Sequence, residues 1–123
     1  MNREQFILLS FDVEEFDTPL EYHHFISPEK QLKVGLDGLL AIKEFLTGHQ
    51  IRTTLFTTAN FAINYPELIR ELSWNHEIAS HTFYHSTFQP KDLKESKIAL
   101  EKITGNPITG IRIPRMKYLN RMT

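Results

Sequence analysis

The chain has no cysteine in its 123 residues. Disulfides and thiolate-bound metals are therefore excluded, and a reducing compartment suits it. It also lacks any apolar run long enough to cross a bilayer. Residues 1–5 carry an acid, and the apolar stretch that follows, residues 6–11, is too short for the core of a secretory signal. No one sign of charge dominates. Fourteen Lys and Arg against 15 Asp and Glu give a net charge of −1, so nothing points to a nucleic-acid or anionic-membrane surface. Internal repeats, low-complexity tracts and interdomain linkers are missing too. A hydrophobic content of 41%, with nine Phe, supplies a core. The expectation is one cytoplasmic domain at most.

What is present alternates. Residues 6–11, interrupted only by Ser10, read as a strand buried on both faces, as in a parallel sheet. Residues 15–33, polar and holding Pro19 and Pro28, read as a long loop of the kind that often carries function. Leu36, Leu39, Leu40, Ile42, Phe45 and Leu46 follow a helical period that Gly48 is placed to end. Residues 51–57, rich in β-branched and aromatic side chains, read as a second strand. A short helix is expected over 66–72, with Pro66 in its first turn. Residues 77–80 form a third strand that delivers His81. Pro90 opens another helix, with Leu93, Leu100 and Ile103 inward, Asp92 and Glu95 in the first turn, and Lys102 and Gly105 at the end. Residues 108–113 read as a fourth strand. Strands alternating with helices predict a parallel α/β sheet or barrel. In such folds, sites gather at the C-terminal ends of strands. Asp12, Glu14, His81, His85 and Arg112 all fall at or just past such ends.

The sequence His81-Thr82-Phe83-Tyr84-His85 sets two imidazoles four residues apart, within reach of one cation on a helix or tight turn. Asp12 and Glu14 share a face if extended. Two His and one carboxylate make a three-ligand metal site with an open position, and a second carboxylate beside it can act as a base. That constellation points to metal-assisted hydrolysis. Each part alone has a plainer reading. The histidines fit a surface loop, residues 12–15 a solvated turn, and Arg112 an exposed arginine before a proline turn. Thr82 stands where metalloproteases of the His-Glu-x-x-His type carry their base, which disfavours that class. His23 and His24 read as surface or substrate-loop residues. His49 and His76 border turns without an assigned role, and Lys91, Lys94 and Lys97 form a solvated helix face.

Together these motifs resemble the polysaccharide deacetylase family, the carbohydrate esterase group with the NodB homology domain. The family's Thr-Phe-Asp-Asp reads here as Ser10-Phe11-Asp12-Val13-Glu14. Its His-Ser/Thr-x-x-His is matched fully by residues 81–85. Its Arg-Pro-Pro-Tyr-Gly is matched by Arg112 and Pro114 within Arg112-Ile113-Pro114-Arg115-Met116. The resemblance, over residues 6–116, implies Asp12 as catalytic base, His81 and His85 as metal ligands, and Arg112 as the residue that orients the base. It also implies Arg115 as the donor of a backbone N–H to the oxyanion. The family's metal-binding Asp falls on Val13, which cannot ligate, so Glu14 is the candidate third ligand and Glu15 the fallback.

The implied fold is a partial (β/α) barrel with about four parallel strands present. Residues 1–123 would be the N-terminal part of such a domain, because the family's later Leu-x-His, which bears the general acid, has no match here. The implied reaction is removal of N-acetyl groups from a glycan with a divalent metal. Zinc is favoured by the donor set, while cobalt, nickel or iron would suit the same ligands. Two rivals are hydrolysis of cyclic amides on the same fold and a non-catalytic, metal-binding or self-associating remnant. Open sheet edges in a partial barrel favour self-association.

Overall fold

The computed structural model describes residues 3–116. Three short strands run parallel in the order β1 (Ser10–Val13), β2 (Thr54–Thr57) and β3 (Glu77–Ser80). The register sets Asp12 beside Phe56, and Thr57 beside Ser80. The α-helices among the described residues are α1 (Thr18–Glu21), α2 (Pro28–Gly48), α3 (Ala59–Asn64), α4 (Pro66–Leu72) and α5 (Lys91–Thr104). Val13, Leu55 and Ile78 from the strands meet Leu39, Phe61, Ile69, Leu72, Leu100 and Ile108 in one buried cluster. The α/β architecture with a parallel sheet is therefore as expected. No helix among the described residues is long and apolar enough to cross a membrane.

The fourth strand is reduced to one bridge, between Ser80 and Ile111. Ser80 N donates to Gly110 O at 2.9 Å, and Arg112 N donates to Ser80 O at 2.8 Å. The rest of 108–113 cannot join the ladder. Pro107 has no N–H, the N–H of Ile108 is taken by Glu101 Oε2 at 2.9 Å, and Pro114 cannot extend the ladder. The sheet thus holds three strands and a bridge rather than four strands.

The apolar run at the N-terminus is not buried. Phe6, Ile7 and Leu8 are 79, 86 and 93% exposed. Pairing begins where Thr54 N reaches Leu9 O at 3.1 Å. Upstream of Thr54 the chain is still leaving α2, with Ile51 N bonded to Leu46 O and Gln50 at φ 54°. Residues 6–8 consequently have no strand beside them among the described residues.

The stretch 15–33 is also not a continuous loop, since α1 and the start of α2 occupy much of it. Ser27 caps α2 by accepting from Lys30 N at 3.2 Å, and Pro28 follows at its first position. Both prolines start helices, because a missing N–H is harmless in a first turn. The helix α3 was not anticipated. Thr58 caps it, accepting from Phe61 N at 3.2 Å. The bounds of α4 and β3 agree with expectation. Gly105, at φ 73°, ends α5 in the left-handed conformation that favours glycine. Leu100 and Ile103 face inward as expected. Leu93 does not, being exposed, and Asp92 and Ser96 are buried with Leu100 instead. The two polar residues are satisfied. Asp92 Oδ2 accepts from Gln89 N at 2.8 Å, and the Ser96 hydroxyl lies 2.7 Å from that of Ser80.

Candidate metal centre

Two strand ends deliver the site. β1 closes on Val13, which faces the core, leaving Asp12 and Glu14 on either side of it accessible. β3 closes on Ser80 and passes directly to His81, which is 2% exposed. The chain then turns sharply at Thr82, at φ 63°. A β-branched residue seldom adopts that conformation, and here the surroundings enforce it. Thr82 N donates to Ser80 Oγ at 3.1 Å, and its hydroxyl donates to Tyr84 O at 3.2 Å. The first N–H groups of α3, those of Ala59 and Asn60, donate to Thr82 O and Phe83 O at 3.0 and 2.9 Å. The segment is thus a pinned turn rather than a helix, and it brings the two imidazole centroids to 5.9 Å.

Glu14 Oε2 lies 2.9 Å from His81 Nε2 and 3.2 Å from His85 Nε2. One donor atom from each of the three residues falls within 4.8 Å of the other two. The opposite ring nitrogens are engaged behind the site. His81 Nδ1 is 2.6 Å from Arg112 O, and His85 Nδ1 is 2.5 Å from Asp17 Oδ1. A carbonyl or carboxylate oxygen only accepts, so both Nδ1 atoms donate. In the neutral rings both Nε2 lone pairs are then left facing Glu14. Two lone pairs and a carboxylate repel one another unless a cation or proton sits among them, so the donor set fits a divalent ion. Without one, His81 takes up a proton more readily than a free imidazole. Burial pulls its pKa down, but the hydrogen bonds to Glu14 and the Arg112 carbonyl, with the charges of Asp12 and Glu14, raise it overall.

Asp12 stands beside this group. Its Oδ1 accepts from Arg112 Nη1 at 2.8 Å, and its Oδ2 is 3.9 Å from His81 Nε2. The Arg112 guanidinium also donates to Ser10 Oγ at 2.9 Å and lies 4.1 Å over the ring of Phe56. Arg112 therefore serves both histidine and carboxylate, one through its backbone and the other through its side chain.

Glu14, not Glu15, meets the ring nitrogens of the histidines. Glu15 is buried beneath them, accepting from Thr58 Oγ1 at 2.7 Å and from His85 N at 2.9 Å. The Arg115 side chain pairs with Glu21, and its Nη2 lies 3.9 Å from Asp17 Oδ1. His23 and His24 are exposed. Asp17 was missed in the sequence. Asp17-Thr18-Pro19 carries the pattern of a helix cap, and Asp17 does occupy that position, yet its side chain caps nothing and turns to His85 instead. Spacing gives no hint of that contact.

In fold the chain is similar to several solved structures. The PuuE allantoinase superposes with a TM-score of 0.64 at 20% identity, over 83% of this chain and 44% of that one. A CE4-family pseudoenzyme of Bacillus anthracis gives 0.63 at 14% identity, over 92% and 36%. The family 4 acetyl xylan esterase of Clostridium thermocellum, solved with a cobalt ion, gives 0.61 at 16% identity, over 89% and 49%. The chain spans about a third to a half of the length of these structures. No curated protein matches it in sequence. The polysaccharide deacetylase family model matches residues 38–123, a span that starts after Asp12 and Glu14 and takes in the histidine pair and Arg112. By that match over most of its length, the chain belongs to the polysaccharide deacetylase family.

Proposed function

We propose that the chain is a metal-dependent hydrolase of non-peptide C–N bonds that removes N-acetyl groups from a glycan. One observation carries the reading: Glu14, His81 and His85 converge beside a carboxylate, Asp12, that Arg112 grips by one oxygen. Glu14, His81 and His85 would hold a divalent ion, zinc by their chemistry. When bound, such an ion polarises a carbonyl and acidifies water. Asp12 accepts the water's proton on Oδ2, the oxygen Arg112 leaves free, while the guanidinium holds the carboxylate aimed. The Arg115 backbone N–H is the assigned donor to the oxyanion.

Two other readings have support. Likeness to the pseudoenzyme favours a non-catalytic protein. Likeness to the allantoinase favours cyclic-amide hydrolysis. Zinc-loaded chain incubated with N-acetylglucosamine oligomers, and separately with allantoin, separates all three. Acetate release that Asp12→Asn abolishes is the expected result. Ureide opening without acetate release selects the allantoinase-like reading. Stoichiometric zinc with neither reaction selects the non-catalytic one.

A further inference from the structure

We propose that Asp17 is a positioning residue of the metal centre, fixing the ring of His85 so that Nε2 is presented to the ion. The inference rests on the reading of Glu14, His81 and His85 as metal ligands. The two histidines are held from behind by different chemistry. His81 Nδ1 meets a neutral carbonyl, that of Arg112, at 2.6 Å, whereas His85 Nδ1 meets a carboxylate oxygen of Asp17 at 2.5 Å. A carboxylate behind a ligating imidazole fixes its tautomer and ring orientation.

Asp17 has no other evident use. It is 2% exposed and stands at the cap position of α1 without capping it. Its second oxygen, Oδ2, is buried with no hydrogen-bond partner among the described residues. A buried carboxylate with one bare oxygen is unfavourable unless positive charge lies near. Arg115 supplies part of that charge, with Nη2 3.9 Å from Oδ1, but shares its guanidinium with Glu21. A cation held by His85 Nε2 would supply the remainder. Arg115 acts in this arrangement through its side chain, independently of any part its backbone plays in the reaction.

The test begins on the wild-type chain without metal, by ring nitrogen–proton correlation NMR. His85 is expected to carry its proton on Nδ1, and an Nδ1 without a proton overturns the inference before any variant is made. Zinc affinity is then measured by chelator competition. Asp17→Asn, which keeps the volume and loses the charge, is expected to weaken zinc about 10-fold, and Asp17→Ala about 100-fold, the range for removing a partner behind a ligand. In Asp17→Ala the His85 ring should lose its single tautomer while His81 keeps Nδ1–H, a selectivity that general loosening of the fold would not give. Zinc affinity in Asp17→Asn within twofold of wild type, with binding lost in His81→Ala, overturns the role of Asp17 alone. Wild-type affinity in His81→Ala overturns the metal centre itself.

Discussion

The two ends of the sheet obey opposite rules. At the C-terminal ends of β1 and β3 the buried groups are polar. Glu15, Asp17, His81 and Thr82 are each 4% exposed or less. At the N-terminal ends the exposed groups are apolar. Phe6, Ile7, Leu8 and Trp74 are each at least 73% exposed, and Ile7, Leu8 and Trp74 border a cavity of about 480 Å3 with His76. Burying polar groups costs stability unless each finds a partner. At the C-terminal end nearly all of them do, and they find one another: Glu15 with Thr58 and His85, His85 with Asp17, His81 with Arg112, Arg112 with Asp12. Such a network fails as a unit, so a single change there should be felt strongly. The exposed apolar end has little to lose within the folded monomer.

The largest expected effect is on the metal. His81→Ala removes a ligand and should lower zinc affinity by more than the roughly 10–100-fold that follows from losing a partner behind a ligand. Elemental analysis after zinc loading checks it, and unchanged occupancy would erase the proposed contrast between the two ends. Asp12→Asn comes next. An amide cannot accept the proton, so acetate release should fall by about 10²–10⁴-fold while zinc occupancy stays as in wild type.

Most of this contrast was legible in the sequence at the C-terminal end and illegible at the other. Histidines four apart, acids two apart, and the placement of all of them after apolar segments pick out Glu14, His81, His85, Asp12 and Arg112, because metal chemistry imposes spacing and strands impose direction. Asp17 escaped, and Glu15 entered only as a fallback ligand, because the contacts that hold them run to Thr58 and His85, far along the chain, and no local pattern records a contact of that kind. The apolar run at residues 6–9 misled for the converse reason. A run says that a strand would be buried if neighbours existed, but whether β2 reaches far enough to pair with it depends on where α2 releases the chain. The stretch 15–33 misled because proline signals both loops and helix starts. Ser27 ahead of Pro28 was the available clue.

A smaller effect is expected on stability through the helix that covers β1. A Cβ at Gly35 would stand 2.3 Å from Glu14 O and 3.1 Å from the Phe61 ring. The nearer neighbour is backbone and cannot swing away. Gly35→Ala should therefore destabilise by about 1–3 kcal/mol, the range for overpacking, and should weaken zinc binding by displacing Glu14. Urea unfolding with and without zinc measures both. Gly38, which has open space around it, is the control, since Gly38→Ala should be neutral or stabilising in mid-helix.

The response to pH sets the two ends against each other. His81 has a folded pKa raised above 6.5. In the metal-free chain its contribution to stability is fully present below 6.5 and is lost as pH rises through the folded value. Zinc must displace that proton, so apparent zinc affinity should rise with pH over the same interval. His76 runs the other way. Burial, then the charge of Arg52, lowers its pKa, and its Nδ1 accepts from Thr53 N at 3.1 Å. Its contribution is present above 6.5 and is lost as pH falls through the lowered value. Metal-free melting curves of wild type, His81→Ala and His76→Ala across this range should show the alkaline loss only when His81 is present and the acid loss only when His76 is present.

The smallest expected effect on the monomer is at the exposed end, where it sharpens the comparison most. Leu8 is 93% exposed, so Leu8→Ser should change unfolding free energy by no more than about 0.5 kcal/mol. Its effect on association should be larger. Among the described residues, the side of β1 away from β2 carries no strand, and exposed edges beside apolar side chains invite pairing between chains. Light scattering coupled to size exclusion should show wild type associating as concentration rises, and Leu8→Ser combined with Phe6→Ser associating less. If wild type stays monomeric at every concentration, the exposed apolar end is inert and only the polar end distinguishes this chain. If the double variant also loses cooperative unfolding, residues 6–8 contribute to the fold after all, and the two ends are not the opposites their exposures make them.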